Sequence, residues 1–344
     1  SIHEKGEIWA GSDDGLIHLT QDGGKSWNNV TPKGMNEGIV NSIEISPHDK
    51  GTVYVAFTRY KFGDLSPSIY KTTNYGKSWT KRVKGIGDDA FVRVVREDPV
   101  KRNLLYAGTE TGLYLSLDGG KLWEKFQLNL PIVPITDLTI RNNDLVASTQ
   151  GRSFWILDDL TQIHQYDRKI TSEDFHLFKP GIAYRTSGGS SRSKTIGQNP
   201  PNGAVIIYHL SNKPEKDTNA KLEILFEDKV IRTINSKPGE SAITFDGGVY
   251  SSPTISLKKG MNRFLWNYRI DDITMVKDVS FYGSYSGYRM GPGNYTVRFS
   301  LGKESMEQPL TVKRDPRIEV KDRDNRAHQQ MMSDLYMQIN DLHD

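Results

Sequence analysis

One eight-residue phrase recurs three times: TQDGGKSW at Thr20–Trp27, TTNYGKSW at Thr72–Trp79 and SLDGGKLW at Ser116–Trp123. Its anchors Asp22, Asn74 and Asp118 stand 52 and 44 residues apart. A repeat of that period points to a propeller or an array of small sheets. The phrase reads as a tight turn between two strands. Asp22, Asn74 and Asp118 are short polar residues that accept hydrogen bonds from the turn's own backbone. Gly24, Gly76 and Gly120 supply positive φ. Trp27, Trp79 and Trp123 open the next strand and are expected to bury a large aromatic face. All these roles are structural.

Around the boxes, short strands follow one another in a fixed order. The first repeat has strands over 7–11, 16–20 and 26–30, and no innermost strand. The second has 40–46, 52–58, 68–73 and 78–83. The third has 91–96, 103–108, 113–117 and 122–126. The fourth has 135–140, 144–149 and 154–157, without a box. The fold class expected is therefore all-β: a partial β-propeller of about four blades over residues 1–160. Four blades with incomplete ends do not close a ring of this type, and closure is what hides sheet edges. The remaining blades are expected on an absent segment or on another chain.

Residues 161–203 read as a connector and loop, with a Gly/Ser-rich stretch from Tyr184 to Pro201. From 204 to 316 the strands resume with turns about ten residues apart, the pattern of an Ig-like or fibronectin-like β-sandwich with Trp266 in its core. From 317 to 344, Met331, Met332, Leu335, Ile339 and Leu342 share one face of an amphipathic helix. A lone helix of that kind needs a surface to pack on, and it is expected to continue past Asp344.

The three boxes resemble the Asp-box, or BNR repeat, found in sialidases, some glycosidases, sortilin-type receptors and photosystem assembly factors. Longer phrases, VREDPVKRNLLYAGTETGLYLSLDGGKLW and NDLVASTQGRSFWILDDLTQI, resemble the end of the propeller in bacterial secreted proteins of the sortilin-like and glycosyl hydrolase-like group. HLFKPGIAYR, KKGMNRFLWNYR and GPGNYTVRF extend the resemblance into an Ig-like domain of the flagellar hook-capping type. Asn74 for Asp, Leu122 for Ser/Thr, and Gln150 where members often carry His depart from the pattern. The resemblance implies an exported protein, periplasmic, outer-membrane-associated or extracellular, whose signal peptide is not in this chain. It implies no particular reaction, because the box sits in families with unrelated functions.

Composition removes other classes. The chain has 45 basic and 42 acidic residues, well mixed, which argues against a nucleic-acid surface. No apolar run reaches the roughly 20 residues of a membrane span. Cysteine is absent, so disulfide and thiol chemistry are excluded. The histidines have no zinc-like spacing, and the stretch Asp322–Ala327 lacks the Gly and Glu of a calcium loop. No metal and no cofactor are expected.

In a four-stranded blade, the loops after the second and fourth strands leave on one face, opposite the boxes. Ligand sites in propellers lie on that loop face. It carries Asp13, Asp14, the insertion RYKFGDLSP with Arg59, Tyr60, Phe62 and Asp64, then Asp88, Asp89, Glu110 and Arg152. The insertion mixes charge with aromatic rings, as binding loops do. Arg59, Arg93, Arg96, Arg102 and Arg152 are available for a sialidase-like triad, but nothing in the sequence groups three of them. The reading is a non-catalytic module that recognises a polypeptide or glycan. The alternative is a sialidase- or xyloglucanase-like glycoside hydrolase with part of its active site on missing blades. The aromatic stretch Tyr282–Tyr288 reads as a sandwich loop.

Overall fold

A computed structural model describes residues 1–186, 193, 197, 199–215, 218–239, 241–243, 249–274 and 284–343. Most of the Gly/Ser-rich stretch after Tyr184 lies outside the described residues, as does the start of the Tyr282–Tyr288 stretch. The chain divides into two compact units, Ser1–Leu160 and Thr161–Asp344.

The first unit is a run of four antiparallel sheets, each built from consecutive strands. They are β1 (Ile8–Gly11), β2 (Ile17–Thr20) and β3 (Asn28–Asn29); then β4 (Ile39–Ile45), β5 (Val53–Thr58), β6 (Ile69–Thr72) and β7 (Thr80–Lys81). The third sheet holds β8 (Val92–Glu97), β9 (Leu105–Thr109), β10 (Gly112–Ser116) and β11 (Glu124–Lys125), and the fourth β12 (Ile135–Arg141), β13 (Asp144–Thr149) and β14 (Phe154–Leu157). The first strands of successive sheets meet, β4 against β8 and β8 against β12. This is the blade order of an all-β partial propeller.

Central strands β5 and β9 are buried along their whole length because neighbouring sheets cover both faces. Such strands read as near-continuous apolar runs. Tyr54, Ala56 and Ile69 of the second sheet share one core with Val92, Val95, Leu105, Ala107 and Trp123 of the third.

The three boxes close in the same way. The Thr20 hydroxyl donates to Asp22 Oδ1 (2.8 Å) and accepts from Gly24 N (2.9 Å). Thr72 and Ser116 repeat both bonds, with Asn74 and Gly76 and with Asp118 and Gly120. The anchor side chain then accepts from the backbone N–H four residues on, at Ser26, Ser78 and Leu122. The Ser26 hydroxyl, the Ser26 amide and the Thr20 hydroxyl hold the Asp22 carboxyl down at about 2. Leu122 is thus no loss, because the bond that matters there comes from its backbone.

Two consecutive residues in each turn have positive φ, Gly23–Gly24, Tyr75–Gly76 and Gly119–Gly120. Tyr75 takes a conformation that favours glycine, and its amide donates to Gly51 O at 3.0 Å.

The box tryptophans differ, which corrects the expectation that all three bury a face. Trp123 is 1% exposed and Trp27 is 45% exposed. The indole nitrogens of Trp79 and Trp123 donate to Val30 O (2.7 Å) and Arg82 O (3.0 Å), each just past the outer strand of the preceding sheet. Trp27 belongs to the first of the four described sheets.

In the second unit, a three-stranded sheet combines β15 (Phe175–Leu177), β17 (Ala204–Leu210) and β22 (Gly260–Trp266). A five-stranded sheet combines β16 (Ala183–Arg185), β24 (Glu304–Arg314), β23 (Gly293–Leu301), β18 (Ala220–Phe226) and β19 (Lys229–Asn235), and β20 (Ser241–Ile243) pairs with β21 (Val249–Ser251). The two larger sheets face each other over one core, in which Tyr208 stacks on Phe299 at 4.5 Å and Trp266 is 1% exposed. β15 and β16 come from the segment read as a connector. Each is three residues long, too short to show a period.

A short helix α1 (Thr161–Gln165) opens this unit and a long one, α2 (Asp322–His343), ends it. Of the five residues expected on the packing face of α2, Met332 alone is half-buried. Met331, Leu335, Ile339 and Leu342 are 62%, 41%, 39% and 83% exposed. The contact side carries Gln329, Tyr336 and Asn340. Gln329 accepts from Gly291 N at 3.0 Å, Asn340 accepts from Thr274 N at 2.7 Å, and Tyr336 meets Tyr288 edge-on at 5.9 Å. The amides of residues 274 and 291 lie outside the strands, and such donors need side-chain partners.

Candidate functional site

The insertion after β5 folds into a single 3-10 turn, Tyr60–Phe62, closed by Gly63 in the left-handed region at φ 73°. Arg59 fixes its base. Its Nε donates to Glu37 O (2.9 Å) and its Nη1 to Asp64 (3.1 Å). Asp64 also accepts from the Ser66 hydroxyl at 2.6 Å, and these bonds lower its pKa, Ser66 contributing most.

The turn places two rings at the surface. Tyr60 lies flat on Phe91, 5.1 Å between centroids and 12° between planes, and is 38% exposed. Phe62 is 53% exposed, with the Arg59 guanidinium over its ring at 5.5 Å. The Arg93 guanidinium of β8 stands beside the Tyr60–Phe91 stack, 5.0 Å from the Phe91 centroid and 5.9 Å from that of Tyr60. Its Nη2 and Nε both meet one oxygen, Oε2, of Glu110, at 2.7 Å and 2.8 Å.

So Arg59, Tyr60, Phe62, Asp64 and Glu110 come together in one cluster across two sheets. Phe91 and Arg93 belong to it as well. The sequence showed Phe91 only as the start of an inner strand, and Arg93 only as one arginine of five.

Asp14 is engaged locally. It takes the Ser12 hydroxyl and the Leu16 amide, and its pKa is lowered, chiefly by Ser12. Asp13 is exposed on the same hairpin turn. That turn leans on the loop carrying Glu37, since Val40 N donates to Ser12 O at 3.0 Å. Arg152 is not tied to the cluster. Among the described residues its guanidinium bonds only the Gly151 carbonyl, at 3.2 Å.

A second group lies along the inner strands, and sequence reasoning missed it. Arg96 of β8 donates to Asp137 Oδ1 (2.7 Å) and Leu138 O (2.9 Å) on β12, and its Nη1 stands 3.6 Å from Glu44 of β4. Glu44 also accepts from Glu97 N at 3.1 Å. Burial pushes the Glu44 carboxyl up to about 7, against the pull of Arg96, with Glu97 and Asp137 adding to the rise. The two carboxyl oxygens on this one guanidinium are less than about 9 Å apart, below the upper limit glycoside hydrolysis uses. Asp137 is well exposed and Glu44 is not.

Among the described residues no three ligating side chains converge as a metal site, and no helix is long and apolar enough to cross a membrane.

No protein-family model and no curated protein matches the chain. Solved structures similar to it include YCF48 bound to D1 peptide, 16% identical over 59% of this chain and 58% of that one, with a TM-score of 0.34. YCF48 from Cyanidioschyzon merolae is 14% identical over 78% of this chain and 88% of that one, TM-score 0.35. The GH74 xyloglucanase from Xanthomonas campestris is 14% identical over 92% of this chain and 55% of that one, TM-score 0.36. The chain spans little more than half the length of the first and third of these structures, and likenesses this distant carry no functional argument.

Proposed function

We propose that the chain is an exported, non-catalytic interaction module that recognises a polypeptide or a glycan through its loop face. One observation carries this reading: Tyr60 and Phe62 are 38% and 53% exposed while the carboxylates beside them, Asp64 and Glu110, are spent on Arg59 and Arg93. Rigid aromatic faces give contact area at little entropic cost, and braced ion pairs keep them in place. A general acid needs a raised pKa, and that of Asp64 is lowered. The export reading rests on the family resemblance of the propeller-end phrases. The sandwich, Ig-like by the same resemblance, serves as spacer or docking unit. The remaining blades of the ring are supplied by an absent segment or by another chain.

The test is binding on glycan and peptide arrays by the wild type and by the double variant Tyr60→Ala, Phe62→Ala. The reading expects array signal that the variant loses with an unchanged melting temperature. Equal signal from both proteins removes the cluster as the site.

Glycoside hydrolysis is the second reading, favoured by Glu44 and Asp137 on Arg96. A carboxyl near 7 beside an exposed carboxylate is an acid–base arrangement. Release of reducing ends from polysaccharides, abolished in both Glu44→Gln and Asp137→Asn, would support it.

A further inference from the structure

Among the described residues, the first three sheets share a feature the fourth lacks. Each ends in a two-residue outer strand delivered by its box, antiparallel to the strand before it: β3 on β2, β7 on β6, β11 on β10. The fourth sheet has the order β12-β13-β14, so β14 is its outer edge. Past β14 the chain is turned away. Asp159 takes φ 57°, its side chain accepts from Asn143 Nδ2 (2.8 Å), and its amide donates to Asp144 (2.9 Å).

An open edge strand presents unpaired N–H and C=O groups to any extended chain. β14 reads FWIL, and its alternate residues Phe154 and Ile156 are 74% and 60% exposed. The two ends of the edge carry opposite charges. Exposed Arg152 precedes it, and exposed Asp158 follows, with Asp144 and Asp159 as acidic neighbours.

We propose that the β14 edge takes an extended strand of a partner polypeptide, antiparallel as in the other three sheets. Its apolar residues alternate to pair with Phe154 and Ile156. Antiparallel alignment sets its N-terminal end beside Asp158 and its C-terminal end beside Arg152. The strand recognised therefore has a basic residue before the apolar alternation and an acidic residue after it. This site is separate from the loop-face cluster and stands whether or not that cluster binds.

The test uses the whole chain and three synthetic probes: KTVTVTE, its charge-reversed partner ETVTVTK, and KTVTVTE N-methylated on alternate residues. The readout is amide hydrogen exchange at residues 154–157 with millimolar peptide. The proposal expects slowed exchange with KTVTVTE, binding about five-fold weaker with ETVTVTK, and none with the N-methylated probe. Unchanged exchange with every probe overturns it, as does equal binding in both charge orders. A dimer of the chain alone with β14 already protected overturns it too, since the occupant would then be a second copy.

Discussion

The indole nitrogen of Trp123 donates to the carbonyl of Arg82, 3.0 Å away on the neighbouring sheet. The bond gives the box its purpose: the turn aims an indole from one blade at the outer strand of the blade before it. Trp79 does the same to Val30. The boxes fix how sheet follows sheet, and the loop face opposite is left free to vary.

Unequal seating predicts unequal costs. Trp123→Ala opens a cavity at a fully buried position and should cost about 3–5 kcal/mol in chemical denaturation. Trp27→Ala touches an indole that is 45% exposed, and should cost less than about 1 kcal/mol. Equal losses would mean the two indoles are not differently placed.

The box hydroxyl is a second test. Ser116→Ala removes the acceptor for the Gly120 amide and the donor to Asp118, at a side chain only 1% exposed. Leaving a buried amide unsatisfied should cost about 1–3 kcal/mol. Ser116→Thr should be close to neutral, because Thr20 and Thr72 make the same bonds. Urea midpoints of the two variants check this.

Glu44 sets a pH dependence. Its folded pKa of about 7 lies above the ordinary 4.5, so the folded state holds a proton that the unfolded state releases. Its contribution to stability is complete below about pH 4.5 and is lost as pH rises through 7. Glu44→Gln keeps an acceptor for Glu97 N and has no charge to bury. The variant should match the wild type at pH 4.5 and exceed it at pH 8 by on the order of 3 kcal/mol. A pH-independent difference would rule out the buried-carboxyl account.

Much of the first unit was legible. The box residues speak through local bonds, and the strands between boxes are apolar runs bounded by turns; β14 falls on 154–157 as expected. The loop-face residues from Arg59 to Asp64 were legible as an insertion, since nothing else in the repeat has that length. Their partner Phe91 was not, because a ring stack across two sheets leaves no trace in spacing. Glu44, Arg96 and Asp137 stand 52 and 41 residues apart and meet only when inner strands line up. For α2, the apolar stripe at Met331 and Leu335 misled, because backbone amides donating to Gln329 and Asn340 decide which side packs.

The most direct measurement is hydrogen exchange of the six tryptophan indole N–H groups by NMR, assigned with Trp→Phe variants. Seating of each blade on the one before it predicts strong protection at Trp123 and Trp79 and rapid exchange at Trp27. Protection of Trp27 equal to that of Trp123, or free exchange at Trp123, would contradict it.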